Sequence, residues 1–448
     1  MTYQSAQDAL RNARVPRYTS YPPATQFTAD VGPAQTAAWI AAVPDGSRIS
    51  LYVHIPFCRR LCWFCACRTQ GTRTDAPLDR YLDHLEKEIA QVVAALPASV
   101  VVGALHLGGG TPTLLSPDRL RRLGAMLHAA FKIAADAEIS VEIDPCEVDK
   151  PRIDALLGLG MSRASVGVQD FAPQVQAAIG RPQSWKVTRD AIVALRDGGI
   201  ASVNVDLLYG LPYQTAERLS HTVAQVLSLR PDRIALYGYA HVPWMARRQN
   251  LIPEDALPDA DARLQLSATA RQKLCEAGYH PIGIDHYALP DDSMTHAAKA
   301  GRLNRNFQGY TTDTADTLIG LGASAISRFP QGFAQNIAAT GEWQRHLRSG
   351  TLATARGYVM TDLDTAVSAA ITRLMCDGRV DLAQCAAEST GTLAFLTERA
   401  GIAAKGMAPY AAFADGVLTL ADFDFARLLA ARFDPRFSPG ASKFSMAS

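Results

Sequence analysis

The chain has almost no excess charge of either sign. Lys plus Arg number 44 and Asp plus Glu 43, a net charge of +1 over 448 residues, so no bulk field draws it to nucleic acid or to a charged membrane. An anionic ligand must therefore be held by a few placed residues. Long apolar runs are also lacking. The longest stretch without a charged side chain, 89–117, is broken by Pro97 and by Gly108, Gly109 and Gly110, and reads as a helix end, a strand and a loop rather than a membrane span. The opening residues, MTYQSAQDALRNARVPRYTSYP, contain no apolar core of the signal-peptide type, which sets the expectation of a cytoplasmic protein. There is no repeat of fixed period and no low-complexity tract. The 48% hydrophobic content excludes a disordered chain and suffices for a large core.

Cysteine is sparse but clustered. Of eight cysteines, four lie within ten residues: Cys58, Cys62, Cys65 and Cys67. Cys146, Cys275, Cys376 and Cys385 are scattered and read as small core or surface residues. In a reducing compartment such a cluster argues for metal rather than disulfides. The spacing C-x3-C-x2-C of Cys58, Cys62 and Cys65 offers three thiolates from one loop. Three ligands for a cubane leave one iron open to a substrate or cofactor. The alternative is structural zinc, which normally takes four ligands as two spaced pairs. No second Cys or His pair of that kind is present, and Cys67 lies only two residues past Cys65. The iron–sulfur reading is preferred.

Six apolar, strand-like runs alternate with helical patterns: ISLYVHI (49–55), VVVGALHL (100–107), EISVEI (138–143), RASVGV (163–168), ASVNVDLLY (201–209) and RIALYGYA (233–240). Each is short and rich in Val, Ile, Leu or Tyr, as buried parallel strands are. The clearest helix places Leu78, Leu82, Leu85, Ile89, Val92, Val93 and Leu96 at three- and four-residue spacing. Six such units predict an α/β fold with a parallel sheet and right-handed crossovers, too few for a closed eight-stranded barrel. An open partial barrel or a doubly wound sheet fits. A short strand is predicted over 280–288, and after a polar loop comes the run TLIGLGASAIS (317–327). The expected division is an irregular N-terminal segment (1–48), a partial barrel with its extension (49–350) and a mostly helical domain (351–448).

The polar residues sit where such folds build active sites. Behind the first run stands HIPFCRRLCWFCAC, and behind the second GGGTPT (108–113). The third ends in Glu142-Ile-Asp-Pro and the fourth in Gly167-Val-Gln169. The fifth carries Asn204-Val-Asp206, and the sixth ends in Tyr239-Ala240-His241. All six sets lie at or beyond the C-terminal halves of parallel strands.

These motifs, HIPFC-x3-C-x-FC-x-C followed by GGGTPT, resemble the radical S-adenosylmethionine (SAM) superfamily. Within it the chain resembles the oxygen-independent coproporphyrinogen III oxidases, through RYTSYP (17–22), YVHIPFC (52–58), EIDP, GVQDF, DLLYGLP, YAHVP, GIDHYA (283–288), RNFQGYTT (305–312) and GLGASAIS (320–327). The resemblance implies a (β/α)6 radical-SAM partial barrel in which Cys58, Cys62 and Cys65 hold a 4Fe–4S cluster and two molecules of SAM are bound. It implies that a 5′-deoxyadenosyl radical removes hydrogen from propionate side chains of coproporphyrinogen III, which become vinyl groups with loss of carbon dioxide. The implied partner is a flavodoxin- or ferredoxin-type electron donor, with no nucleic acid or membrane, and the implied state is a monomer.

The residue types agree with these roles. Gly109 and Gly110 allow close backbone approach, and Thr111 adds a hydroxyl. Glu142 and Asp206 suit an ammonium group or a ribose diol, Gln169 can donate and accept, and Arg181 offers a fork for the methionyl carboxylate. Tyr52, Phe64, Ala240 and Ile326 enter as adenosyl-lining residues through the resemblance alone. Arg17 and Arg305, in motifs outside the SAM loops, are candidates for the substrate's propionates. Cys67 is a candidate substrate-side residue, and segment 1–48 a candidate lid. Ala66, Leu114 and Ile179-Gly180 depart from the common pattern without removing a functional group. The alternatives are a radical-SAM-like haem chaperone, which usually lacks a cysteine at the position of Cys67 and the RYTSYP segment, and a radical SAM methyltransferase acting on a tetrapyrrole.

Overall fold

The computed structural model of the protein describes residues 13–438. The first twelve residues of the candidate lid, and 439–448 of the C-terminal domain, lie outside them. The six predicted strands are present as β1 (Arg48–Ile55), β2 (Val101–Gly109), β3 (Ile133–Ile143), β4 (Arg163–Gln169), β5 (Ser202–Tyr209) and β6 (Arg233–Gly238). The intervening helices are α1 (Ala76–Ala95), α2 (Pro117–Ala130), α3 (Lys150–Leu159), α4 (Trp185–Asp197) and α5 (Ala216–Ser228), with α6 (Ala260–Glu276) after β6. Local chemistry sets their starts. Ser116, Asp149, Ser184, Thr215 and Asp259 each cap a helix by accepting the backbone N–H three residues on. β1 is buried on both faces, as an interior strand of continuous apolar character must be.

Among the strands that follow are β7 (His280–Ile282), β8 (His286–Ala288), β9 (Leu318–Leu321), β10 (Ile326–Phe329), β11 (Gly332–Asn336) and β12 (Thr354–Val359). One sequence expectation is corrected here. Run 280–288 is a hairpin rather than one strand: β7 and β8 pair antiparallel across a turn at Gly283, whose φ of +59° lies in the left-handed region. The run 317–327 supplies β9 and the start of β10, which pair antiparallel across a turn at Gly322 and Ser324, both with positive φ.

The chain divides into two compact units, and these cut across the boundaries 1–48, 49–350 and 351–448 drawn from sequence. One unit comprises Phe27–Asp206 and Ala315–Val359. Its strands lie in the order β12-β11-β10-β9-β1-β2-β3-β4, followed by the first residues of β5. β1 through β4 are parallel, β9 joins β1 in parallel, and β9 to β12 continue antiparallel. Register sets Tyr52 opposite His106, Ile55 opposite Gly109 and Glu142 opposite Ser165. A buried carboxyl braces this unit. Glu88 of α1 accepts from the Gly322 N–H (2.6 Å), Asn336 Nδ2 (2.7 Å) and Trp343 Nε1 (3.2 Å), and burial pushes it up to about 7 against these donors. Beside it, the Tyr81 hydroxyl donates to the His54 carbonyl (2.6 Å) and accepts from the Ala323 N–H (3.0 Å).

The other unit gathers residues up to Gln26, Leu207–Thr314 and the chain from Met360. Here β6 pairs antiparallel with β8, and β8 with β7. Its C-terminal part holds helices α7 (Asp362–Asp377), α8 (Thr390–Met407) and α9 (Ala426–Phe433). A three-stranded antiparallel sheet, Arg379–Asp381, Val417–Leu420 and Ala411–Ala414, accompanies them. Leu374, Met375, Leu396 and Phe433 form a core that also takes in Val15, Tyr18 and Tyr21. Residues 13–26 are therefore packed into this unit, whereas 27–48 of the N-terminal segment belong to the other. Among the described residues, no helix is long and apolar enough to cross a membrane.

Candidate active site

The cysteine loop is closed at its neck by backbone. Gln70 N–H donates to the Pro56 carbonyl (2.7 Å) and Thr72 N–H to the Cys58 carbonyl (3.0 Å), pairing Phe57–Cys58 in parallel with Gln70–Gly71. His54 adds a third tie. Its Nε2 meets the Arg68 carbonyl at 3.0 Å, and since a carbonyl only accepts, Nε2 carries the proton. Nδ1 then accepts from the Tyr52 hydroxyl at 2.9 Å. Burial pushes the His54 imidazole down, which keeps it neutral. The Tyr52 ring also stacks on His106, with centroids 5.7 Å apart.

The glycine loop behind β2 packs directly on this neck. A Cβ on Gly110 would stand 2.6 Å from the Phe57 carbonyl oxygen, and one on Gly109 2.5 Å from the His54 ring. Both amides are already used within the chain: Gly110 N–H donates to the Ile55 carbonyl (2.8 Å) and Gly109 N–H to Glu142 Oε2 (3.0 Å). These glycines thus bring backbone against backbone. Thr111 N–H donates to the Phe57 carbonyl (2.9 Å), and its hydroxyl lies 3.6 Å from the Cys58 sulfur.

Burial raises the Glu142 carboxyl, but His106 Nε2 at 3.3 Å and the Gly109 N–H more than offset this and hold it below the usual carboxylate range. His106 Nδ1 is fixed by Ser140 Oγ at 2.5 Å. On the adjacent strands, Asp206 takes hydrogen bonds from Ser165 Oγ (3.1 Å) and Asn204 Nδ2 (2.8 Å).

Arg181 reaches the cysteine loop from the turn before α4. Its Nη1 donates to Cys62 Sγ (3.4 Å) and lies 3.3 Å from Asp144 Oδ2, while Nη2 donates to the Gly167 carbonyl (2.9 Å). Burial opposes its charge, but Asp144 and Cys62 hold the guanidinium above its ordinary value. Its buried Nε has no hydrogen-bond partner, a donor left for a ligand. The Gln169 amide lies near the same Gly167 backbone, and Gln169 itself holds a positive φ of 70°. The turn before Arg181 is shaped by the loop it meets: Trp63 N–H donates to the Ile179 carbonyl (2.9 Å), and a Cβ on Gly180 would lie 2.8 Å from the Trp63 ring. That contact accounts for the Ile179-Gly180 departure. Cys67 lies beside Cys65, whose sulfur pushes the Cys67 thiol up.

The structure thus gathers Cys58 with Thr111, Cys62 with Arg181, Cys65 with Cys67, and Gly109 with Glu142. Tyr52 joins His54 and His106. Phe64, Ala240 and Ile326 are half-buried. Sequence reasoning assigned no role to Asp144, His106, Trp63 or Ser165, and named Asn204 only as a polar residue of its strand. Asp144 had a signal, since it follows Glu142 by two, just past the end of β3; Trp63 had none.

The donor set suits a cluster. Cys58, Cys62 and Cys65 offer three thiols on one clasped loop, the donor set of a cubane with three protein-bound irons.

In the other unit, Arg17 is exposed and donates through Nη2 to the Gly238 carbonyl (2.8 Å). Arg305 is buried, lies 4.5 Å over the Tyr310 ring and donates through Nη2 to the Arg17 carbonyl (3.3 Å).

Residues 52–226 match the model of the radical SAM superfamily. The chain is 54% identical to an oxygen-independent coproporphyrinogen III oxidase of Paracoccus denitrificans over 82% of each chain. It is 48% identical to an anaerobic coproporphyrinogen III oxidase of Cereibacter sphaeroides over 98% of each. A solved structure of a coproporphyrinogen III oxidase from Escherichia coli, a radical SAM enzyme, matches with a TM-score of 0.88 at 34% identity, covering 94% of this chain and all of that one.

Proposed function

The chain belongs to the oxygen-independent coproporphyrinogen III oxidases of the radical SAM superfamily, and from that premise we propose which of its residues carry each part of the reaction. It is an oxidoreductase of porphyrin biosynthesis that uses a 4Fe–4S cluster and SAM. Two propionates of coproporphyrinogen III lose carbon dioxide and become vinyl groups. When bound, the cluster supplies the electron that cleaves SAM.

Cys58, Cys62 and Cys65 hold the cluster, on a loop whose neck the backbone already closes. Arg181 binds the methionyl carboxylate. The observation that carries this assignment is its buried Nε, unpartnered while Nη1 and Nη2 are held by Cys62, Asp144 and the Gly167 carbonyl. A fixed fork with one free donor favours an incoming carboxylate. Glu142, ionised and oriented by His106, receives an ammonium group. Asp206, held by Asn204 and Ser165, takes a ribose diol, and Gln169 assists. Tyr52, Phe64, Gly109, Gly110, Thr111, Ala240 and Ile326 line the SAM sites, of which there are two. Arg17 and Arg305 meet propionates, and Cys67 faces the substrate. The protein works in the cytoplasm as a monomer and takes electrons from a flavodoxin- or ferredoxin-type donor, without nucleic acid or membrane.

The test is anaerobic reconstitution with iron and sulfide, then assay with coproporphyrinogen III, SAM and a reductant. Protoporphyrinogen IX with carbon dioxide and 5′-deoxyadenosine is expected. A methylated tetrapyrrole, or haem binding without turnover, would overturn the reading.

A further inference from the structure

Four arginines converge in the unit that contains Arg17 and Arg305. Arg427 of α9 donates through Nη2 to the Val15 carbonyl (2.8 Å) and through Nε to the Pro16 carbonyl (3.2 Å). Arg305 donates to the next carbonyl along, that of Arg17. Two buried arginines from distant parts of the sequence therefore fasten three consecutive peptide carbonyls, 15 to 17, as a strap. Arg17 at the end of the strap reaches to the Gly238 carbonyl. Arg263 of α6 is seated beside the same residue: a Cβ on Gly238 would lie 3.3 Å from its Nη2, and one on Gly210 only 2.2 Å from its Nη1. The Gly210 of the DLLYGLP motif is thus the residue that makes room for this guanidinium.

Such a grouping is costly by itself. Arginine does not shed its proton, so buried guanidiniums in mutual range need anions. Arg263, Arg305 and Arg427 are all buried. Burial and then Arg17 lower Arg263, and burial followed by Arg17 and Arg305 pushes Arg427 down to about 9. The carboxylate that acts on both Arg305 and Arg427 is Asp285, and it is already engaged with His286 Nδ1 at 2.7 Å. Two N–H groups of Arg305, on Nε and Nη1, are buried without any hydrogen-bond partner. Two donor nitrogens left without a partner on one buried cation leave it open to carboxylate oxygens.

We propose that Arg17, Arg263, Arg305 and Arg427 form one polycarboxylate-binding site that receives the propionates of the tetrapyrrole, with Arg427 acting as well to hold the strap that carries Arg17. This deepens the functional reading above and rests on it. It adds Arg263 and Arg427 to the substrate site, and it selects for carboxylate number. A tetracarboxylate can engage more of the four guanidiniums than a dicarboxylate product can, so the site favours substrate over product.

The test uses the reconstituted holoenzyme and two stable porphyrins, coproporphyrin III with four carboxylates and protoporphyrin IX with two. Binding is followed by quenching of tryptophan fluorescence. The wild type should bind the tetracarboxylate more tightly. Arg305→Lys and Arg263→Gln should each weaken coproporphyrin binding at least tenfold and protoporphyrin binding less, raise KM for coproporphyrinogen III, and leave iron content at the wild-type level. Arg427→Lys should do the same with a lowered melting temperature; Arg305→Lys and Arg263→Gln decide the matter if that variant does not fold. Coproporphyrin affinity unchanged in both of these, in an enzyme whose wild type turns over, would overturn the proposal alone. A wild type that converts no coproporphyrinogen would instead overturn the functional reading, and this one with it.

Discussion

The guanidinium of Arg181 donates to the thiol of Cys62 at 3.4 Å, joining positions 119 residues apart. One side chain thereby links a candidate cluster ligand to Asp144 and to the backbone of β4. Replacing it affects the loop and the ligand together. Arg181→Ala is expected to weaken SAM binding about 10- to 100-fold, since hydrogen bonds to charged groups contribute on the order of 1.5–3 kcal/mol. Arg181→Lys should fall between, because it keeps the charge but not the fork. Equilibrium dialysis with SAM measures this, and wild-type affinity in both variants would remove Arg181 from the site.

Cys58→Ala, Cys62→Ala and Cys65→Ala should each abolish the cluster, because three thiolates are the minimum set. Cys67→Ala should retain it. Iron and sulfide analysis with the visible absorption spectrum separates the cases. A full 4Fe–4S complement in the Cys62 variant would refute the ligand assignment.

Stability should depend on pH through Glu88. Its carboxyl is raised from an ordinary 4.5 to about 7 by burial, so its contribution is fully present below 4.5 and is lost as pH rises through 7. The loss across that window is on the order of 3 kcal/mol. Thermal melts between pH 4.5 and 8 should therefore show a falling transition temperature, and Glu88→Gln should flatten the dependence. An equal slope in both proteins would place its origin elsewhere.

Arg17→Ala should uncouple SAM cleavage from product formation, leaving the cysteine loop unaltered. The ratio of protoporphyrinogen IX formed to 5′-deoxyadenosine released should drop. This substitution is a cleaner probe than deletion of residues 1–25, since Val15, Tyr18 and Tyr21 lie in a hydrophobic core with α7 and α9. A ratio equal to wild type would exclude Arg17 from the substrate site.

The parallel strands were legible because interior strands must be apolar on both faces, and their order followed from alternation with capped helices. The candidate positions were legible for the same reason, since polar residues such as Glu142 and Asp206 stand out at the ends of apolar runs. The hairpin of β7 and β8 was not, because HPIGIDHYA reads as one apolar run and only the φ of Gly283 breaks it. Nor were the unit boundaries, which depend on contacts between stretches far apart in sequence. Trp63 escaped for a related reason: it packs against Gly180, a neighbour that only the fold supplies. The glycine loop was read as an open cradle for ligands, yet the Gly109 amide is spent on Glu142 and that of Gly110 on the Ile55 carbonyl.

The Tyr18 hydroxyl donates to Asp434 at 3.1 Å, a bond spanning 416 residues. The strap and α9 are thus fastened across separations of 411 to 416 residues. Closing so long a loop is entropically costly and late. The unit of Phe27–Asp206 and Ala315–Val359, which carries the cysteines, has its last segment synthesised before α9 emerges, so the cluster loop can form while the arginine site is still unassembled. During synthesis, then, every residue of the cysteine loop is present before Arg427 is, and a nascent chain stalled before α9 would lack the side chain that fastens residues 15 and 16.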